Sequence, residues 1–244
     1  MIKYIQAFIP ALTLLISACG EIKTDNKVRF ATCADYPPFE YFQKGELVGL
    51  DIELAQMIEK ELGKEAVFEN MKFGSILAAL QNGSVDAGIS TITVTKERKK
   101  NFDFSAPYYT ESLSMVFSKG LPLTSKAQLS GKKIACQLGT TMEIWLKNNA
   151  PGTEIISMDN NNQAIEALKA GHVEGVLVDS FQASAFTDKN PELTHEFIAQ
   201  SDTGYAIALA KGSSLKGEIN AALKRLETSG TLQKLQEKWL GSAS

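Results

Sequence analysis

The sequence predicts an α/β protein with largely parallel sheets, and three observations carry that prediction. Apolar runs of strand length alternate with amphipathic helical stretches from about residue 28 onward, the pattern left by βαβ units. Glycine, asparagine and capping residues punctuate the passages between them. The chain has 244 residues, 44% of them apolar, which is enough for a packed core. That length allows one large domain or two of about 100 residues each.

The elements follow in order. Residues 1–18, MIKYIQAFIPALTLLISA, carry one charged side chain, Lys3, and a mainly apolar run from Ile5 to Ile16. The run is shorter than the ~20 residues of a bilayer-spanning helix and suits a secretory signal. It ends Ile16-Ser17-Ala18-Cys19, which resembles the lipobox of bacterial lipoproteins. The resemblance implies cleavage before Cys19 and lipid attachment to its thiol; an ordinary signal peptide is the alternative. Residues 19–27 then read as lipid anchor and polar tether.

Val28 to Thr32 reads as a strand. Asp51 to Leu62 is a helix with Leu54, Ala55, Ile58 and Leu62 on one face, Asp51 as cap and Gly63 as stop. Phe73 to Leu80 is helical and ends at Asn82-Gly83, and Val85 to Ser90 is a strand. Thr95 caps a helix through Lys100. Leu113 to Phe117 and Lys133 to Cys136 are strands. Thr141 to Lys147 is helix, Ile155 to Ser157 strand, Gln163 to Ala170 helix stopped by Gly171. Val173 to Val178 is strand, Ser180 to Phe186 helix and Tyr205 to Ala210 strand. Ser214 to Leu226 and Thr231 to Trp239 close the chain as amphipathic helices.

Composition removes several function classes. Twenty-five Lys and Arg against 28 Asp and Glu, with no long basic run, do not suit a nucleic-acid binder. Two His and three Cys are too few soft ligands for a rich metal site, and no Walker A motif is present. No cofactor is called for. An oxidising compartment permits a disulfide between Cys33 and Cys136. Both sit in apolar, strand-like segments, and two free buried thiols are the favoured reading.

In α/β sheets ligands bind where strands end and helices begin, and three such corners carry chemistry. The first is Ser90-Thr91-Ile92-Thr93-Val94-Thr95, with Arg98 in the helical turn that follows. Hydroxyls, free N–H groups and a planar guanidinium suit a carboxylate, although Thr95 as a plain cap and a solvated Arg98 read equally well. The second is Gln137-Leu138-Gly139-Thr140-Thr141, where Gly139 permits close backbone approach or the turn is simply capped. The third ends in Val178-Asp179-Ser180, where Asp179 either holds an ammonium group or caps the next helix.

With these corners the chain resembles the periplasmic amino-acid-binding proteins, bacterial extracellular solute-binding proteins of family 3. The matching motifs are Tyr36-Pro37-Pro38-Phe39-Glu40, Gly49-Leu50-Asp51-Ile52-Glu53-Leu54-Ala55, Val85-Asp86-Ala87, Thr93 to Arg98 and Phe102 to Tyr108. The second half continues it with Gln137 to Thr141, Ala170-Gly171, Val178-Asp179 and Gly230-Thr231 to Lys238-Trp239. The resemblance covers residues 28–240. It implies the two-lobed periplasmic-binding-protein fold of type II, with two crossing hinge strands and the ligand in the cleft between lobes. Lobe one would comprise residues 28–111 and 203–244, and lobe two residues 112–202.

The resemblance also assigns roles. Arg98 grips the ligand α-carboxylate, helped by the Thr93 N–H, Thr141 and the neighbouring Thr140. Asp179 and the Ser90 carbonyl take the α-ammonium, with Thr91 nearby. Tyr36 and Phe73 sandwich the side chain, and Gln137 stands where selectivity is set. Relatives that prefer cationic side chains often carry an acid where Cys33 stands, so a polar or uncharged amino acid is expected, unless Asp35 or Glu143 substitutes for that acid.

The implied function is a lipid-anchored binding protein, a monomer at the outer face of the cell membrane or in the periplasm. It would deliver an amino acid to an ABC permease and its ATPase, with no enzymatic activity and no nucleic-acid partner. A cyclohexadienyl-type dehydratase on the same fold, or a sensing module for a separate signalling protein, are the competing classes.

Overall fold

Apolar side chains on both faces decide where the first strand lies. In β1 (Lys27–Thr32) Val28 and Phe30 enter one core and Ala31 the other, all buried. Such a strand belongs in the middle of a sheet covered on both sides. A computed structural model describes residues 26–241 and shows that sheet. The leader, residues 1–18, and the candidate anchor Cys19 lie outside the described residues.

Beyond β1 come β2 (Asp35–Tyr36), β3 (Glu40–Gln43) and β4 (Glu46–Val48), a small antiparallel sheet. Then follow α1 (Leu50–Leu62), β5 (Glu65–Asn70), α2 (Phe73–Gln81), β6 (Ala87–Gly88), α3 (Lys96–Asn101) and β7 (Phe102–Phe104). The chain continues through β8 (Tyr109–Ser118), β9 (Lys133–Gln137), α4 (Thr141–Asn149), β10 (Glu154–Met158), α5 (Asn161–Lys169), β11 (Gly175–Asp179) and α6 (Ser180–Lys189). It ends with β12 (Leu193–Tyr205), β13 (Ala208–Ala210), α7 (Leu215–Thr228) and α8 (Thr231–Leu240).

Two five-stranded sheets result, in the orders β5-β1-β6-β13-β7 and β10-β9-β11-β8-β12. Each centres a lobe. In each, the first three strands pair in parallel and the last two pairings are antiparallel, so that β13 and β8 alone run against their sheets. The sheets are therefore mixed, not largely parallel. β8 and β12 pair antiparallel from Tyr109↔Tyr205 at the first lobe to Ser118↔Leu193 in the second, and so link the lobes.

Strands with polar residues escape a reading by apolar pattern. β5 and β12 are edge strands rich in Glu, Asn, Gln and Thr, because an edge meets solvent on one side. The expected strand Val85–Ser90 pairs only over Ala87–Gly88, and the rest runs on into the cleft corner.

Asp51 does not cap its helix. The N-cap of α1 is Gly49, at φ 132°, where an added Cβ would come 2.1 Å from the Phe39 carbonyl oxygen. Asp51 sits instead in the first turn, fully buried between Leu50 and Ile52.

Candidate functional site

The three corners meet in the crevice between the lobes. Its walls are Tyr36, Phe73, Thr91, Thr93, Arg98 and Tyr205 from one side, and Gln137, Thr140, Thr141, Met142, Asn161 and Asp179 from the other.

Arg98 is set by its local sequence. Thr95 caps α3, its Oγ1 accepting the Arg98 N–H at 3.0 Å, and this turn aims the guanidinium into the crevice. The side chain is buried. Nη1 donates to the Thr93 carbonyl at 2.7 Å and Nη2 to the Gly139 carbonyl, on the opposite lobe, at 2.9 Å. The Phe73 ring lies 5.8 Å from the guanidinium carbon, within cation–π range. Burial lowers the guanidinium pKa to about 10, so it stays a cation at neutral pH. Its partners are neutral, which leaves a buried positive charge able to take an anion.

Asp179 provides the opposite sign. It ends β11 and is completely buried. Its Oδ1 accepts the Gln182 N–H at 2.9 Å and so caps α6. Its Oδ2 accepts from Tyr205 Oη at 2.9 Å. Both readings of Asp179 thus meet in one carboxylate, a cap that also faces the crevice. Burial raises its pKa to about 7, against the lowering effect of those hydrogen bonds.

The second corner meets the start of α2 at glycine. A Cβ on Gly139, at φ 80°, would lie 3.2 Å from the Gly74 Cα across the crevice. Thr140 caps α4, receiving the Glu143 N–H at 3.4 Å and donating to the Gln137 carbonyl at 2.7 Å. The first N–H groups of α4, from Thr141 on, point toward the crevice end of the helix without intrahelical acceptors. Gln137 Nε2 donates to the Asp159 carbonyl at 3.1 Å and approaches the Cys33 sulfur at 3.9 Å. Lys72 reaches across to Asp159 at 2.7 Å.

Nine of the ten expected ligand residues therefore line the crevice: Tyr36, Phe73, Thr91, Thr93, Arg98, Gln137, Thr140, Thr141 and Asp179. Ser90 is not among the wall residues; the atom expected to meet the ligand is its backbone carbonyl, while its hydroxyl turns inward, donating to Glu40 Oε1 at 2.7 Å and accepting the Cys33 N–H at 3.1 Å. Three lining residues were not anticipated. Met142 reads as helix core and Tyr205 as the start of a strand. Asn161 opens α5 in the run Asn160-Asn161-Asn162, a fourth strand-to-helix corner whose polar run was a usable signal.

Of the two substitutes for an acid at position 33, Glu143 is spent elsewhere. It accepts from the Gly139 N–H at 2.8 Å, Lys147 at 2.7 Å and Ser157 at 3.1 Å. Asp35 stands behind Cys33, with its pKa raised by burial. Both thiols are free and buried, and burial is the main reason each is pushed up in pKa.

Comparison with known proteins adds four findings. The family model described as bacterial extracellular solute-binding proteins, family 3, matches residues 28–242. The Arginine-binding extracellular protein ArtP of Bacillus subtilis is 33% identical over 98% of this chain and 98% of its own length. The L-cystine-binding protein TcyJ of Escherichia coli is 35% identical over 85% of this chain and 80% of its own. Among solved structures, an ancestral arginine-binding protein bound to arginine superposes with a TM-score of 0.83 at 38% identity, over 88% of this chain and 99% of that one.

Proposed function

The chain belongs to the bacterial extracellular solute-binding proteins, family 3, and from that premise we propose that it captures a polar L-amino acid between its lobes and delivers it to an ABC importer. One observation carries this: a buried guanidinium with only neutral partners and a buried carboxylate face one crevice from opposite lobes. A zwitterion answers both charges at once, and only the closed crevice offers both to it. Arg98, with the Thr93 backbone and the start of α4 at Thr141, receives the α-carboxylate. Asp179 receives the α-ammonium, beside Thr91. Tyr36 and Phe73 flank the side chain.

The remaining lining groups favour an uncharged side chain. Gln137 and Asn161 are neutral, and among the described residues Asp179 is the only acid in the wall. A cationic side chain would find no second anion there, and Cys33 carries no charge behind it. ArtP is named for arginine and TcyJ for cystine, so the relatives span both kinds.

The test is thermal unfolding of the chain from residue 20 onward, freed of co-purified ligand, against the twenty amino acids and L-cystine. A ligand that binds only the folded state adds about 4 kcal/mol at ~1,000 times Kd. Upward shifts with neutral polar amino acids support the reading. A shift with arginine or lysine alone overturns the side-chain class, and no shift with any of them overturns capture itself.

The Ile16-Ser17-Ala18-Cys19 run supports a lipid on Cys19 that holds the protein at the outer membrane face. Cys19→Ala should move it from the membrane to the soluble fraction; unchanged fractionation would refute the anchor.

A further inference from the structure

Glu40 opens β3 and Asp51 lies in the first turn of α1. Both side chains are buried, Asp51 completely and Glu40 to 1% exposure, and they lie within hydrogen-bond reach of one another. Each has one oxygen served by neutral donors. Ser90 Oγ gives to Glu40 Oε1 at 2.7 Å. The Thr91 N–H and Tyr108 Oη give to Asp51 Oδ2 at 2.8 Å each. The other oxygen of each, Glu40 Oε2 and Asp51 Oδ1, is buried and meets no donor among the described residues.

Two ionised carboxylates at that spacing, with neutral donors and no hydration, repel one another. The further titratable groups that bear on them, Asp35, Cys33 and Tyr108, bring no positive charge. One proton between the two unserved oxygens turns two unmet acceptors into a donor and an acceptor and leaves a single negative charge.

We propose that Glu40 and Asp51 share one proton between Oε2 and Oδ1, and that the resulting monoanion holds the Ser90–Thr91 corner in its ligand-facing geometry. The proton resides on Glu40. Burial raises both carboxyls; at Asp51 the hydrogen bonds from Thr91 and Tyr108 offset part of that rise, while at Glu40 burial and then the Asp51 charge drive the pKa well above the usual carboxylate range.

Thr91 shows why the corner needs holding. Its φ is 46°, a left-handed conformation that is uncommon for a residue with a β-branched side chain. Asp51 accepts the Thr91 N–H from behind, and Thr91 lines the crevice in front. Glu40 fixes the preceding residue through Ser90 Oγ, which also receives the Cys33 N–H. Glu40 and Asp51 are thus positioning residues. This second half of the proposal rests on the amino-acid reading of the crevice; the shared proton does not.

Infrared spectroscopy of the full soluble chain tests it without ligand. At about pH 9, above the range of ordinary and moderately raised carboxyls, a protonated-carboxyl carbonyl band should persist. Glu40→Gln and Asp51→Asn should each abolish it, since an amide N–H then replaces the shared proton. Absence of the band at that pH, or its survival in both variants, overturns the shared proton. The double variant sets two amides together with no charge behind Thr91, so hydrogen exchange of the Thr91 amide should rise by about 100-fold over either single variant. Exchange equal to the single variants overturns the positioning. Should the double variant fail to fold, Asp51→Ala reads the same amide and is judged by the same criterion. Failure of the wild type to bind any amino acid would fall on the ligand reading alone, because neither readout uses one.

Discussion

The first lobe's sheet runs β5-β1-β6 in parallel and closes with β13 and β7; the second repeats the plan as β10-β9-β11, closed by β8 and β12. The corner after β6 leads to a cation, Arg98, and the corner after β11 is an anion, Asp179. Arg98 has little structural work, since its hydrogen bonds go to two carbonyls at the crevice wall. Asp179 has a great deal, because it caps α6 and takes the hydroxyl of Tyr205 on a linking strand. The same topology has placed opposite charges at equivalent corners, one free for a ligand and the other shared with the fold.

The largest expected effect breaks the first half of that comparison. Arg98→Ala should cost binding on the order of 2–5 kcal/mol, because the ligand carboxylate would be buried without its cation. Unfolding should stay within about 1 kcal/mol of wild type. Isothermal titration beside denaturant unfolding separates the two, and intact binding would mean that another group takes the carboxylate.

Asp179 should behave differently. Asp179→Asn keeps a capping oxygen and removes the charge, so binding should fall by about 2 kcal/mol or more while stability holds. Asp179→Ala should lose binding and about 1–2 kcal/mol of stability as well. Equal stability loss in both variants would show that the charge, not the cap, stabilises the second lobe.

The same residue gives a pH dependence. Its pKa is raised from the ordinary carboxylate range to about 7 by burial, so the ligand-free folded protein binds a proton that the unfolded chain releases. That contribution to stability is fully present below about pH 4 and is lost as pH rises toward 7. Affinity runs the other way: an ammonium needs the ionised form, so binding should weaken by up to about tenfold per pH unit below 7. Titrations from pH 8 to 5 should show this slope in wild type and a flat profile in any residual binding by Asp179→Asn. A flat wild-type profile would remove Asp179 as the ammonium partner.

Contacts between the lobes give smaller effects. Gly139→Ala strains a left-handed residue and sets a Cβ 3.2 Å from the Gly74 Cα. It should cost about 1 kcal/mol in the closed state, seen as about fivefold weaker binding and a larger radius of gyration with ligand. An unchanged radius would show that the lobes close without this approach. Smallest is Lys72→Ala. The Lys72–Asp159 pair is exposed, at 69% and 46% of the two side chains, so its loss should change affinity by less than about fivefold. A larger change would make it a true latch.

Much of the fold was legible because it is local. Short apolar runs marked β1, β9 and β11, and Thr95 and Thr140 announced α3 and α4. β5 and β12 were not legible, since edge strands carry polar residues that read as loop. In the candidate site, Arg98, Asp179 and the Thr93 and Thr140 corners could be picked from the sequence by residue type and position. Tyr205 and Met142 could not: a tyrosine at a strand end and a methionine in a helix carry no local mark of facing a crevice.

By itself, then, the sequence determined the helices, the apolar strands between them and which corners carry a charge, because periodicity and capping act over a few residues. Tertiary structure alone decided that Arg98 would meet Gly139 from the other lobe and that Tyr205 would reach Asp179. It also decided that Asp51, apparently a helix cap, would turn inward to Thr91, Tyr108 and Glu40. Those contacts join residues 11 to 57 positions apart. Their geometry follows from how two sheets and two linking strands pack, and no local pattern of side chains encodes it.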